Sequence, residues 1–128
     1  MTWEDAPDIQ KRVVHILANL DLPHILGKNL IVYRSHGSTG RAIARIWSLP
    51  RVWQQALNVS PHYIIEVISE RFDRQSHQDQ DRTLIHELMH IPKTFSGALV
   101  SHRGHKHRID RRSVEALYRQ YVQNKNQS

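Results

Sequence analysis

His86-Glu87-Leu88-Met89-His90 has the form H-E-x-x-H, and this stretch decides how the chain is interpreted. Four residues are just over one turn of an α-helix, so the two imidazoles project from the same helix face and can share one metal ion. Glu87 lies about 100° further round the helix, near the metal without being aimed at it. The motif therefore predicts a zinc peptidase in which Glu87 is the general base acting on a metal-activated water.

The residues around the motif have the pattern of a helix. Ser76, followed three residues later by Asp79, resembles a capping box, and Pro92 ends the segment. Between them the apolar residues recur with helical period: Leu84, Ile85, Leu88 and Met89. Partly buried histidines beside a solvated carboxylate are the alternative interpretation. The helical setting of the whole motif favours the metal site.

A catalytic zinc site needs a third protein ligand and an open fourth position. The chain has no cysteine, so this ligand must be an imidazole or a carboxylate. Metzincin spacing is absent, because Lys93 and Ser96 occupy the positions where that motif has a glycine and a histidine. The remaining candidates are three histidines after the motif and one glutamate on the last predicted helix: His102, His105, His107 and Glu115.

His102 is the predicted third ligand. The loop before it can reverse direction at Phe95-Ser96-Gly97, whereas His105 and His107 lie among basic residues that disfavour a bound cation. Glu115 is the main rival, either as a ligand or as a partner that orients a ligand histidine. A second donor should stabilise the oxyanion beside the metal, and the sequence does not choose among its candidates: Arg103, His105, Tyr118 and Tyr121.

The flanking segments predict a small α+β zincin-like domain with a mostly antiparallel sheet of three to four strands. An amphipathic helix follows Pro7 and carries Ile9, Val13, Ile16, Leu17 and Leu20 at helical spacing. Strands are predicted at 30–33, 42–47 and 62–68, with a short helical turn at 52–57. The strand at 62–68 is a candidate edge for an extended peptide, or else a plain internal strand.

A last helix is predicted after Asp110, which should cap it, and a frayed polar tail is predicted from 123 to 128. Its apolar face contains Val114, Leu117, Tyr118, Tyr121 and Val122. The length of 128 residues fits one domain, which would then span residues 1–128. The sequence shows neither a secretory signal nor an apolar run long enough to span a membrane, so a cytoplasmic protein is expected.

The positive charge is concentrated near the end of the chain. Of the formal net charge of +6, five charges arise from residues 101–128, where Asp110 and Glu115 oppose seven basic residues: Arg103, Lys106, Arg108, Arg111, Arg112, Arg119 and Lys125. A solvated face is favoured over a nucleic-acid patch, because the tyrosines nearby fall at core spacing. Nucleic-acid binding through residues 103–112 stays open, and the sequence does not indicate an oligomeric state.

Several stretches together resemble the phage metallopeptidase family. They run from His86 to Leu99 with His102 beyond, and from Val114 to Tyr121, and the segments 44–50 and 62–68 are similar too. The likeness covers most of the chain. It implies peptide hydrolysis with one zinc ion per chain, and the family's histidine after the leucine corresponds to His102.

The spacing from His90 to His102 and Gly104 is also similar, more loosely, to SprT-type proteases. That likeness would imply a protease that acts on DNA-bound proteins. Two further classes compete with a peptidase. One is a non-catalytic, basic metal-binding module acting at nucleic acid, and the other is a protein that uses zinc only for folding, with all four positions filled by protein.

Overall fold

The protein is described here by a computed structural model, which covers residues 1–102 and 109–127. The helices in these residues are α1 (Pro7–Ala18), α2 (Arg51–Leu57), α3 (Ser69–Phe72), α4 (His77–Met89) and α5 (Arg111–Asn126). The strands are β1 (Thr2–Asp5), β2 (Leu30–His36), β3 (Ala44–Ser48) and β4 (Tyr63–Ile68). A 3₁₀ turn at Gly27–Asn29 leads into β2.

The four strands form one mixed sheet in the order β1-β2-β4-β3. β1 pairs antiparallel with β2, β2 pairs parallel with β4, and β3 pairs antiparallel with β4. Two of the three pairings are antiparallel, which confirms the predicted α+β class and its mostly antiparallel sheet. Of the two interpretations of 62–68, the internal strand is confirmed and the candidate edge is wrong, because β4 lies between β2 and β3. The edge on that side is β3.

The core lies between one face of the sheet and the long helices. From β4, Tyr63, Ile65 and Val67 are fully buried on this face, as alternation along a strand requires. They pack in one cluster with α1 and α4, which contribute Ile16 and Leu84 among others. The core therefore fixes α4 against the centre of the sheet.

Polar contacts also join the helices to one another. The guanidinium of Arg12 on α1 lies 2.6 Å from the carboxylate of Asp81 on α4, and Asp81 is buried. The Tyr121 hydroxyl on α5 lies 2.8 Å from Nδ1 of His15 on α1. Because a buried charge needs a partner, the Arg12–Asp81 contact links α1 to α4.

Two parts of the fold differ from the sequence prediction. β1 was not predicted, and it forms by pairing with β2. The prediction of a frayed tail from 123 is corrected, because α5 continues to Asn126. The side-chain amide of Asn124 donates to the Asn19 carbonyl oxygen at 2.9 Å, which attaches the last turns of α5 to the end of α1.

Among residues 1–102 and 109–127, the helices are too short or too polar to span a bilayer.

Leu84→Ala should lower the free energy of unfolding by about 2–5 kcal/mol, because it leaves a cavity in the core where Leu84 is fully buried. Leu57→Ala is the matched control, since Leu57 also lies in a helix but is 57% exposed, and it should cost less than about 1 kcal/mol. Urea unfolding monitored by circular dichroism measures both. Equal losses would show that α4 does not pack against the sheet as described.

Candidate metal centre

Local sequence features determine where α4 begins and ends, and so position His86 and His90. The Ser76 side chain accepts a hydrogen bond from the Asp79 backbone N–H at 3.1 Å, which caps the start of the helix. The helix ends at Met89, and His90 follows as the C-terminal cap, still in helical conformation (φ −72°, ψ −13°). His86 and His90 therefore project from the same helix face.

Three histidines converge at this face. One ring nitrogen from each of His86, His90 and His102 lies within 4.8 Å of the other two. The Nε2 atoms of His86 and His102 are 2.9 Å apart. Zinc with Zn–N bonds of about 2.0–2.1 Å in tetrahedral geometry holds its nitrogens about 3.4 Å apart. The three imidazoles thus fit one zinc-sized ion after small side-chain adjustments.

The ring of His90 is oriented by the backbone. Its Nδ1 lies 2.6 Å from the Val100 carbonyl oxygen, and since a carbonyl can only accept, Nδ1 carries the proton. This leaves Nε2 unprotonated in the neutral ring and available to a metal. In return, the Val100 N–H donates to the His90 carbonyl oxygen at 2.7 Å. The same two residues therefore also fasten the loop that leads to His102.

The loop before His102 is held by two side chains that the sequence analysis missed. The Tyr63 hydroxyl donates to the Ala98 carbonyl oxygen at 2.8 Å and accepts from the Gly97 N–H at 2.9 Å. The Gln54 amide on α2 donates to the Ser96 carbonyl oxygen at 3.0 Å. Alternation along β4 predicts that Tyr63 is buried, but no local pattern predicts which backbone groups its hydroxyl meets.

Burial sets the protonation of the histidines. It lowers the pKa of His86 to about 4, helped by the positive charge that His90 and His102 would carry. Burial also lowers the pKa of His90, against the opposing effect of its hydrogen bond to Val100. Both rings are therefore neutral at pH 7, which is the state that binds metal.

Glu87 lies beside the cluster in a shielded environment. It is 8% exposed, and this burial raises the pKa of its carboxyl to about 7. A carboxyl with that pKa exchanges a proton readily near neutral pH. Glu87 borders a cavity of about 340 Å³ that is also lined by Arg41, Ile43, Ala44, Thr83, His86 and His102.

Arg41 is a further cation at this cavity that the sequence analysis did not single out. It lies in the loop between β2 and β3, far from the motif in sequence, so spacing carries no signal for it. The loop is held by Arg71, whose Nε donates to the Ala42 carbonyl oxygen at 2.7 Å and whose Nη2 donates to the Ser38 hydroxyl at 3.1 Å. These contacts hold the loop in which Arg41 lines the same cavity as Glu87.

The other predicted site residues have different surroundings. The Glu115 carboxylate lies 2.8 Å from Nε of Arg82, and this hydrogen bond holds its pKa below the usual value. The Tyr118 ring lies under the Arg82 guanidinium, 4.1 Å from its carbon. Tyr121 is buried and bonded to His15. All three lie outside the lining of the Glu87 cavity.

Two predictions fall outside the described residues. Arg103 and His105, proposed for the oxyanion or the metal, belong to the segment 103–108, as do His107 and most of the basic stretch 103–112. At the start of α5, Arg111 and Arg112 are exposed.

The fold and the cluster together define a class of protein. It is a small zincin-like α+β domain in which three histidines around an H-E-x-x-H helix could hold one metal ion. The family model described as "Putative phage metallopeptidase" matches residues 1–122, and the chain belongs to this family. No curated protein and no solved structure matches the chain. The resemblance inferred from the sequence is confirmed.

Gly97→Ala should disturb the loop that carries His102. Gly97 has φ +95°, and an added Cβ would collide with Gln54 Nε2 and the Leu49 carbonyl oxygen. We expect a loss of roughly 1–3 kcal/mol in the free energy of unfolding, together with weaker zinc binding. Thermal unfolding and a zinc titration measure the two effects.

Gly40→Ala is the control for this substitution, because its nearest neighbour, Nη2 of Arg45, would lie at an ordinary 3.7 Å. If Gly97→Ala behaved like Gly40→Ala in both measurements, the described path of the loop would be contradicted.

Proposed function

We propose that the protein is a zinc-dependent metallopeptidase with one Zn²⁺ per chain, held by His86, His90 and His102. The convergence of these three ring nitrogens within 4.8 Å, beside the buried Glu87, carries the proposal. Membership of the metallopeptidase family supports the same reaction. Three protein nitrogens with an open fourth position are typical of catalytic zinc, whereas structural zinc has four protein ligands.

Zinc held by these residues would supply a Lewis acid and would lower the pKa of a bound water toward about 7. Glu87 is proposed to accept the proton of the attacking water and to deliver it to the leaving amine. Its position supports this role, because Glu87 borders the same cavity as His86 and His102. Thr83 and Ala44 line the space in which the scissile bond would lie.

The substrate is proposed to be an extended peptide that pairs with β3. The Ile43 carbonyl oxygen accepts from the Ile68 N–H at 2.9 Å, so in this antiparallel pair the residues 45 and 47 also direct their backbone groups toward β4. Ala44, Ile46 and Ser48 then direct theirs outward, where an added strand could use them. This edge begins at the Glu87 cavity, since Ala44 lines it.

Arg41 is proposed as the second donor for the oxyanion. The sequence analysis considered Arg103, His105, Tyr118 and Tyr121 for this role, but Tyr118 contacts Arg82 and Tyr121 contacts His15. Arg41 lines the cavity and has exposed guanidinium donors. A cation at the site of developing negative charge lowers the barrier by stabilising that charge.

Glu87→Gln should keep zinc and lose peptide hydrolysis by several orders of magnitude, because an amide cannot accept the proton of the attacking water. An unbiased peptide library read by mass spectrometry measures cleavage, and elemental analysis measures zinc. Equal cleavage by the wild-type and variant proteins would mean that the histidines form a structural clamp.

His102→Ala should weaken zinc binding by about 100-fold or more, whereas Glu115→Ala should leave it within a few-fold of wild type. The reason for the difference is that the Glu115 carboxylate is engaged by Arg82. His24→Ala, at a half-buried histidine after α1, controls for the loss of an imidazole elsewhere. Competition with a chromophoric chelator gives the affinities. Tight binding by His102→Ala together with weak binding by Glu115→Ala would reverse the ligand assignment.

A further inference from the structure

Helix α2 has its apolar side turned toward solvent. Six of its seven residues are exposed, and Gln54 is half-buried. Val52 is 71% exposed, Trp53 is 55% exposed and Leu57 is 57% exposed. At about 100° per residue, these three side chains lie within about 140° of the helix circumference and form one strip, which we call the apolar shelf. A surface helix normally buries such a strip, and exposed apolar side chains that lie together are typical of a binding surface.

The polar side of α2 holds the helix next to the candidate site. The Gln54 side-chain amide donates to the Leu49 carbonyl oxygen at 2.7 Å, just after β3. It also donates to the Ser96 carbonyl oxygen at 3.0 Å, in the loop that leads to His102. In the same loop, Leu99 is a further apolar residue that is 43% exposed. One side chain therefore connects α2 both to the strand proposed to pair with the substrate and to the loop that supplies a candidate metal ligand.

Backbone pairing along the outer edge of β3 stops at Ser48, directly before α2. The Leu49 carbonyl oxygen already accepts from Gln54. Pro50 has no backbone N–H, and its carbonyl oxygen accepts from the Trp53 N–H at 3.0 Å. A peptide that pairs with β3 therefore finds no further backbone partners beyond Ser48, and it continues toward the side chains of α2.

We propose that the apolar shelf binds a large apolar side chain of the substrate, about four to six residues from the scissile bond. This inference rests on the proposed peptidase function and adds one feature of the substrate. Ala44 lines the Glu87 cavity, and Ser48 lies four residues further along β3, which is about 13 Å at about 3.3 Å per residue. A substrate strand that extends from the cavity along β3 reaches the shelf after the same number of residues.

The chemistry of the shelf selects the kind of side chain that it binds. Valine, leucine and the tryptophan ring recognise a partner by removing apolar area from water, which favours leucine, isoleucine, methionine or phenylalanine in the substrate. A charged substrate side chain would lose part of its hydration on the shelf without gaining a partner of opposite charge from these three residues. The shelf therefore discriminates between apolar and charged peptides.

The size of the shelf fits a peptide better than a second copy of the chain. A stable interface between proteins takes about 800 Å² from each partner. A tryptophan side chain offers at most about 250 Å². Trp53 is about half exposed, and Val52 and Leu57 are smaller. Three such side chains supply much less area than a dimer needs, but they can cover one or two side chains of an extended peptide.

A peptide library aligned on the bonds that the wild type cleaves tests the position and the chemistry together. At one or more positions four to six residues from the scissile bond, we expect large apolar residues to be enriched about three- to tenfold over the library. Trp53→Ala and Val52→Ser should each lower this enrichment to less than about twofold, because they remove apolar area from the shelf. Val14→Ser, at a valine of α1 that is 53% exposed, is the matched control and should keep the enrichment.

Retention of uncleaved peptides separates this proposal from the proposed function. The same library is passed over immobilised, zinc-loaded Glu87→Gln and over Glu87→Gln/Trp53→Ala. We expect the peptides retained by Glu87→Gln to be at least about threefold richer in large apolar residues. If the wild type cleaves nothing but this difference is found, the peptidase function fails and the shelf remains a peptide site.

Three results would overturn the shelf proposal. The first is cleavage without apolar enrichment at these positions, or with an enrichment that survives both Trp53→Ala and Val52→Ser. The second is equal retention of apolar peptides by Glu87→Gln and Glu87→Gln/Trp53→Ala. The third is a wild-type dimer in sedimentation velocity that Trp53→Ala dissociates, since a second copy of the chain would then occupy the shelf.

Discussion

The reciprocal hydrogen bonds between His90 and Val100 are the constraint on which the cluster of His86, His90 and His102 depends. The Nδ1–H of His90 donates to the Val100 carbonyl, and the Val100 N–H donates to the His90 carbonyl. One pair of contacts thus selects the tautomer of a helix histidine and fixes the loop two residues before His102. An H-E-x-x-H helix alone presents two imidazoles, and the third must return from a loop. Tyr63 and Gln54 hold the rest of that loop, so a central strand and a short helix also support the site.

Burial of the three histidines and Glu87 explains their protonation states in the absence of a ligand. Removing imidazoles from water disfavours their protonated forms, and three rings so close together would repel if charged. The same shielding keeps the Glu87 carboxyl protonated to an unusually high pH. A bound cation would reverse this preference for Glu87, since a nearby positive charge favours the carboxylate. The site is therefore organised for a cation, which neutral rings bind without first losing protons.

The sequence predicts most accurately the features of the fold that interactions between neighbouring residues determine. The limits of α4 follow from Ser76 and Pro92, and Asp110 caps α5 as predicted. β4 was predicted to within one residue of its observed bounds, but its central place in the sheet was left open. Strand order depends on pairing between distant segments, and an apolar run has the same pattern wherever it is fully buried. β1 was missed because it forms a strand through its pairing with β2, and its own four residues carry no strand pattern.

The residues of the candidate site divide in the same way, into those that local spacing predicts and those that tertiary contacts place. His86, Glu87 and His90 are predictable from sequence because they lie within about one helical turn of each other. His102 is predictable because a loop that reverses direction can bring it back to the same helix face. Arg41 comes from the opposite side of the cavity through a tertiary contact, so no spacing in the chain reveals it. Tyr118 was one candidate for the oxyanion donor; helical period predicts the face of α5 on which it lies, and its ring packs under Arg82.

A crystal structure of the zinc-loaded protein, with anomalous data collected at the zinc edge, tests the central claim most directly. The account predicts one strong anomalous peak per chain, about 2.0–2.1 Å from one ring nitrogen of each of His86, His90 and His102. His90 should bind through Nε2 with its Nδ1 still bonded to Val100. A peak that lacks His102 among its ligands, or one with four protein ligands, would contradict the account.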